Sequence, residues 1–281
     1  MGKNRVSITW LGVAGLHISD GETNLLIDPY ISRVSLLDCL LYRDVSSDRS
    51  RVASWLTKYK IASINAVIVS ESHFDHALDA PSVAGITGAP LFGSESTANI
   101  ARGAGLPEKQ INIVPYGDIE RFGRFSITFM QSRHTPAIGN HVIDDGFISE
   151  PLYQPAHPHR FKMGGHFFFL VQHPSGNVIT HTTPFDDLRV RFPEELEISA
   201  LFSSVLGRRN TERFLHRVVD PIRPEVLYPI HVDNFFTELP RDIAAFKPSP
   251  LAAVHSLVRV VNNRSSSYRV EIPKPYSPVI V

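Results

Sequence analysis

Cysteine is all but missing. The 281 residues hold one, Cys39, which excludes an internal disulfide framework and leaves no cysteine set for a structural zinc. A surplus of either charge is missing too, with 28 Lys+Arg against 28 Asp+Glu. That balance argues against a chain held on nucleic acid by a general basic field, while leaving room for a local basic patch. No apolar run is long enough to span a bilayer. The N-terminal Met1-Gly-Lys-Asn-Arg-Val6 enters a strand-like pattern without the apolar core of a secretory signal, so the expectation is a cytoplasmic protein. Linkers, repeats and low-complexity segments are absent as well, which predicts one domain over 1–281. What remains is an ordinary globular composition, 43% apolar and 20% charged.

The most informative stretch is Val67-Ile-Val-Ser-Glu71-Ser-His73-Phe-Asp75-His76. The apolar run Ala66 to Val69 reads as a buried strand. It ends in a cluster of imidazoles and carboxylates, at the strand end where α/β folds place their chemistry. His73, Asp75 and His76 supply nitrogen and oxygen donors within four residues, a set suited to zinc or a similar first-row ion. One histidine in a loop is usually only a polar residue; three donors this close point to a metal.

Upstream, Val6 to Leu11, Leu16 to Ser19 and Asn24 to Asp28 alternate as strands with tight turns between them and predict an antiparallel meander. Asp28 stands at a strand end, where a carboxylate can orient a metal-binding histidine. Leu36 to Leu41 forms an apolar patch that either roofs a pocket or packs on the core. Ser47 to Lys60 has helical spacing. After the donor cluster, Ala80 to Gly88 and Ser94 to Gly105 predict helices flanking a strand at Pro90 to Phe92, with Ser94 or Ser96 as an N-cap.

Further strands are expected at Ile111 to Val114 and Arg124 to Met130. The second runs into Gln131-Ser-Arg-His134, so a strand again delivers a histidine to a loop. Residues 137–165 read as a long loop of the kind that forms lids and binding segments. Its His141, His157 and His159 are expected to be solvent-exposed polar residues, with gripping of substrate as the alternative. A hairpin follows over Gly165 to His173 and Asn177 to His181, then a loop with Asp186 and Asp187. A strand-like Ala200 to Ser203 and a helix over Thr211 to Val219 precede Glu225-Val-Leu-Tyr-Pro-Ile-His231, a third apolar run ending in histidine. The tail from Pro240 predicts a helix and a closing strand, Tyr268 to Ile272. Each half opens with a meander and continues in helix-plus-strand units that end in donors.

Taken together, Glu71-x-His73-x-Asp75-His76, His134 and Pro229-Ile-His231-Val-Asp-Asn-Phe235, with Ile8-Thr-Trp-Leu-Gly12 and Leu26-Ile-Asp28-Pro29, resemble the metallo-β-lactamase fold superfamily of metal-dependent hydrolases. The pattern looks closest to the branch that contains ascorbate-phosphate lactonase and the phospholipase D acting on N-acyl phosphatidylethanolamine, and it extends from about Ser7 to Tyr268. The resemblance implies a four-layer αββα sandwich (α/β, or α+β). It implies one ion held by Glu71, His73 and His134 and another by Asp75, His76 and His231, with Asp75 also orienting the attacking water. A metal-bound hydroxide would act on a phosphodiester, lactone or other ester or amide of a small-molecule substrate.

Three departures stand out. The family motif opens with histidine where this chain has Glu71; a carboxylate ligates zinc but shifts preference towards manganese or iron, and an ion pair at Glu71 is the alternative. The Gly-Asp whose carboxylate bridges two ions in the family is replaced by Thr182-Thr183-Pro184, with Asp186 and His181 as the substitutes at hand. Gly12-Val-Ala-Gly15 lacks a histidine that relatives often carry. The expected cofactor is therefore one or two ions, Zn2+ first and Mn2+ or Fe as alternatives. A degenerate member that binds a ligand or partner without turnover is the competing reading.

Overall fold

The computed structural model describes residues 5–61, 63–136, 141–181, 192–205, 210–242, 246, 248–264 and 267–281. Two seven-stranded sheets carry the fold. The first is built from β1 (Ser7–Gly12), β2 (Gly15–Ser19), β3 (Asn24–Ile27), β4 (Ala66–Ile68), β5 (Leu91–Gly93), β6 (Ile111–Ile113) and the C-terminal β14 (Pro278–Ile280), in the order β14-β1-β2-β3-β4-β5-β6. The second contains β7 (Ile119–Phe122), β8 (Phe125–Gln131), β9 (Phe167–His173), β10 (Gly176–His181), β11 (Ile198–Ser204), β12 (Pro224–Ile230) and β13 (Arg269–Val270), in the order β13-β12-β11-β10-β9-β8-β7.

Each sheet is antiparallel where the chain makes hairpins and parallel where helices intervene, as short and long connections require. Thus β1, β2 and β3 form the expected meander, and β3 to β6 run parallel. In the second sheet β7 to β10 are antiparallel, and β10 to β13 parallel. The central strands are apolar on both faces: every residue of β4 is buried, and so is Phe167-Phe-Phe-Leu-Val171 of β9. A continuous apolar run is what a strand covered on both sides needs. Phe129 packs edge-on against Phe167 and Phe169 at 5.5 and 5.1 Å, and each fully buried ring contributes roughly 1.5–3 kcal/mol relative to exposure.

The helices are α1 (Leu36–Leu40), α2 (Arg49–Lys58), α3 (Phe74–Ala77), α4 (Ala80–Thr87), α5 (Glu95–Gly103), α6 (Thr211–Phe214), α7 (Asp220–Ile222) and α8 (Pro248–Asn262). Helices α4 and α5 pack on the first sheet, with α2 against α4; α8 lies against β13 and α6. Asp48 and Ser94 cap α2 and α5 by accepting from the amides of Arg51 and Thr97. The helix expected over Thr211 to Val219 is interrupted: α6 passes into a π turn over Leu215–Val219. No helix among the described residues is long and apolar enough to cross a membrane.

Of the two alternatives for the Leu36 to Leu41 patch, packing on the core does not describe its leucines: Leu37 and Leu40 are 64% and 63% exposed, while Cys39 packs against the core. The loop after β10, with Asp186, Asp187 and Thr182-Thr183-Pro184, lies outside the described residues.

Candidate metal centre

The donors gather at one edge of the sandwich. Asp28 follows β3, Ser70 to His76 follow β4, His134 follows β8 and His231 follows β12. Short polar segments at the ends of buried strands place side chains from both sheets in one cleft. Donor atoms of Glu71, His73 and His134 lie within 4.8 Å of one another, and so do those of Asp75, His76 and His231. These are the two triads that the resemblance implies.

Glu71 is the hub. Its Oε1 lies 3.1 Å from His73 Nδ1, 3.1 Å from His76 Nε2 and 3.6 Å from His134 Nε2. Asp75 Oδ2 lies 3.4 Å from His231 Nε2 and 3.8 Å from His76 Nε2.

The far nitrogen of three of these rings is already committed. His76 Nδ1 faces Asp28 Oδ2 at 2.9 Å, His73 Nε2 faces the Ile143 carbonyl at 3.0 Å, and His134 Nδ1 faces the Thr135 carbonyl at 2.8 Å. A carbonyl or carboxylate only accepts, so each of those nitrogens carries a proton. The inward nitrogens then converge on a carboxylate that is itself an acceptor. Each of them meets it either through a second ring proton or through a cation held between the two. The donor chemistry, all nitrogen and oxygen, fits zinc, manganese or iron.

Burial, the largest single influence on Glu71, opposes its ionisation. His134, His76, His73 and His166 together outweigh it and hold the carboxyl well below the usual range. Asp75 is likewise opposed by burial, yet His76, His231 and His73 bring it down to about 2. Burial lowers His76, but Glu71, Asp75 and Asp28 prevail and raise it to about 10. The three carboxylates thus demand positive charge at this spot, as a second proton on His76 or as a metal ion in that proton's place.

The aim of His231 is set by backbone geometry. Its φ of +58° is left-handed, which is uncommon outside glycine and is sustained only by surrounding contacts. The His231 amide donates to the Val13 carbonyl at 2.9 Å, and the Val13 amide to Asp233 Oδ1 at 2.8 Å. Asp233 Oδ2 pairs with buried Arg33 at 2.6 Å. Gly12 makes room for that pair, since a Cβ there would overlap Arg33 Nη2. The Gly12-Val-Ala-Gly15 turn thus holds His231 through its backbone.

One residue of the centre is not singled out by the sequence. His166 precedes β9, and its Nε2 lies 3.2 Å from Glu71 Oε2. It opens an apolar run instead of closing one. Because β9 runs antiparallel to β8, the start of β9 reaches the edge where β8 ends. Burial lowers His166 to about 3. His181, offered as a substitute bridge, ends β10 with Nδ1 3.3 Å from Ser203 Oγ and belongs to neither triad. His157 and His159 stack on one another at 5.0 Å and both lie against Tyr42, while His159 Nδ1 binds Asp144 Oδ2 at 2.7 Å. His141 is exposed, as expected.

The model of the β-lactamase superfamily domain matches residues 7–231 of this chain. The chain belongs to that superfamily. Among the relatives of this superfamily member, a metal-dependent hydrolase of Anaeromyxobacter dehalogenans is 24% identical over 250 residues, covering 83% of this chain and 77% of the relative. The structure of Igni18, a metallo hydrolase from Ignicoccus hospitalis, superposes with a TM-score of 0.60 at 16% identity, covering 99% of this chain and 98% of that one. The metallo-β-lactamase fold protein YhfI from Bacillus subtilis gives 0.59 at 16% identity over 99% and 100%. Two large sheets flanked by helices are thus the metallo-β-lactamase fold, in keeping with the motifs.

Proposed function

We propose that this superfamily member is a metal-dependent hydrolase, with ions held by Glu71, His73 and His134 and by Asp75, His76 and His231. The observation that carries the reading is the convergence of imidazole nitrogens from separate segments on Glu71, each ring fixed from behind by an acceptor. Relatives named as metal-dependent hydrolases support it. The ion-free alternative would leave Glu71 paired with protonated His73 and His76, and ion binding by the purified protein separates the two readings.

Divalent ions in this cleft would supply Lewis acidity and a water ionised near neutral pH. The protein's own part is positional. His231, aimed by the Val13 and Arg33–Asp233 contacts, and His76, aimed by Asp28, fix where the second triad sits. Asp75 is the triad carboxylate with some solvent access, 13% for its side chain against 1% for Glu71. Ionised down to about 2, it accepts a hydrogen bond from water at neutral pH and orients it, and so serves as the catalytic carboxylate. The 141–165 segment reaches the centre through the Ile143 carbonyl, 3.0 Å from His73 Nε2. A small-molecule substrate with a phosphodiester, lactone or other ester or amide bond is the class we assign, and zinc is the ion we expect first.

The test is to strip the protein with a chelator, restore Zn2+, Mn2+ or Fe2+, and assay bis(4-nitrophenyl) phosphate, a γ-lactone and a phenyl ester. Activity returning with the ion and disappearing in Asp75→Ala is the expected result. Turnover that survives both chelation and Asp75→Ala contradicts the reading.

A further inference from the structure

We infer that Glu71 is a bridging carboxylate shared by two ion sites, and that His166 is a further donor to the first of them. The inference rests on the metal-dependent reading above and deepens it. A ligand serving one triad alone would face that triad's nitrogens. Glu71 Oε1 instead lies 3.1 Å from His73 Nδ1, of the first triad, and 3.1 Å from His76 Nε2, of the second. Its other oxygen, Oε2, lies 3.2 Å from His166 Nε2. One carboxylate therefore touches nitrogens of both sets and a fourth imidazole.

Assigned in this way, the first site has Glu71, His73, His134 and His166, and the second has Glu71, Asp75, His76 and His231. Each has four protein donors, and the two differ in character: three nitrogens and one oxygen against two of each. A shared carboxylate lowers the repulsion between neighbouring cations, which two neutral imidazoles in its place would not do. Position 71 can thus carry the anionic link without a carboxylate at Thr182-Thr183-Pro184.

The fold supports His166 as part of the design. The Ser132 amide donates to the His166 carbonyl at 2.9 Å, so β8 and β9 are still paired where His134 and His166 leave them. The two rings stand 6.1 Å apart and nearly perpendicular. His166 is 1% exposed, and a buried imidazole directed at a buried carboxylate is suited to ligation.

Stripped protein titrated with MnCl2 and followed by calorimetry and electron paramagnetic resonance tests this without an activity assay. Wild type should take two equivalents and show an exchange-coupled signal. Glu71→Gln, nearly isosteric, should lose the coupling and one equivalent, and Glu71→Asp should recover part of the second. His166→Gln should weaken one of the two binding steps by at least about 10-fold, the smallest loss expected even for a residue that only orients a ligand, and leave the other unchanged. Two coupled ions in Glu71→Gln would overturn the bridge, and unaltered binding in His166→Gln would overturn the added donor. Two uncoupled ions in wild type would sink the bridge and spare the hydrolase reading, whereas no bound ion at all would sink both.

Discussion

Asp28 Oδ2 stands 2.9 Å from His76 Nδ1, and this contact decides which nitrogen of His76 faces the centre. Asp28 is itself fixed by Ser70, whose amide donates to Oδ1 at 2.7 Å. Its own φ of +44° turns the chain out of β3 to make the contact. Removing the carboxylate frees the ring to rotate or change tautomer. Asp28→Ala should therefore weaken metal binding about 10–100-fold, read by titration calorimetry on stripped protein, and unaltered affinity would show that His76 is oriented by something else.

The Arg33–Asp233 pair acts on the same centre from the other side. Both side chains are buried, at 4% and 0% exposure, so removing one leaves the other as an uncompensated charge. Arg33→Ala should cost about 3–5 kcal/mol in urea unfolding. It should also weaken metal binding, because Asp233 holds the Val13 turn that supports His231. A loss of stability with metal affinity untouched would separate the pair from the site.

Gly103 in α5 offers a case where two effects oppose. Helix propensity favours alanine over glycine by about 1 kcal/mol. Here a Cβ would overlap the Leu152 carbonyl oxygen, and overpacking against backbone costs about 1–3 kcal/mol. Gly103→Ala should consequently lower the unfolding midpoint. A raised midpoint would mean that the 141–165 segment yields easily.

Acid should destabilise the stripped protein through its buried neutral imidazoles. Burial holds His181 down to about 4, against 6.5 for the ordinary group. Between those values the unfolded chain binds a proton that the folded chain refuses, so stability falls as pH drops from 6.5 towards 4. The contribution of this residue over that window is roughly 3 kcal/mol. His181→Gln should flatten that slope in urea titrations at about pH 7, 5.5 and 4.5; an unchanged slope would assign the acid sensitivity to other groups.

Much of this centre is legible in the sequence because its donors follow apolar runs. Ala66 to Val69 announces a buried strand, and so the loop with His73, Asp75 and His76 has to lie at a sheet edge. His134 and His231 obey the same rule at the ends of β8 and β12. His166 does not, because it opens a strand, and only the antiparallel pairing of β9 with β8 brings it to that edge. The role of Glu71 depends also on contacts from two other segments, through His134 and His166, which no local pattern encodes. The exposed leucines of α1 mislead for a related reason: apolar character within a short window does not say which neighbours exist to cover it. Strand β14 is hidden because Pro278-Val-Ile280 is too short to stand out, and its partner β1 lies at the other end of the chain.

The most direct test of the central claim is anomalous scattering at the zinc edge from crystals of zinc-loaded protein. The account predicts peaks about 2.0–2.2 Å from donor atoms of Glu71, His73 and His134 and of Asp75, His76 and His231. Peaks confined to other surfaces, with those side chains paired only to one another, would contradict it.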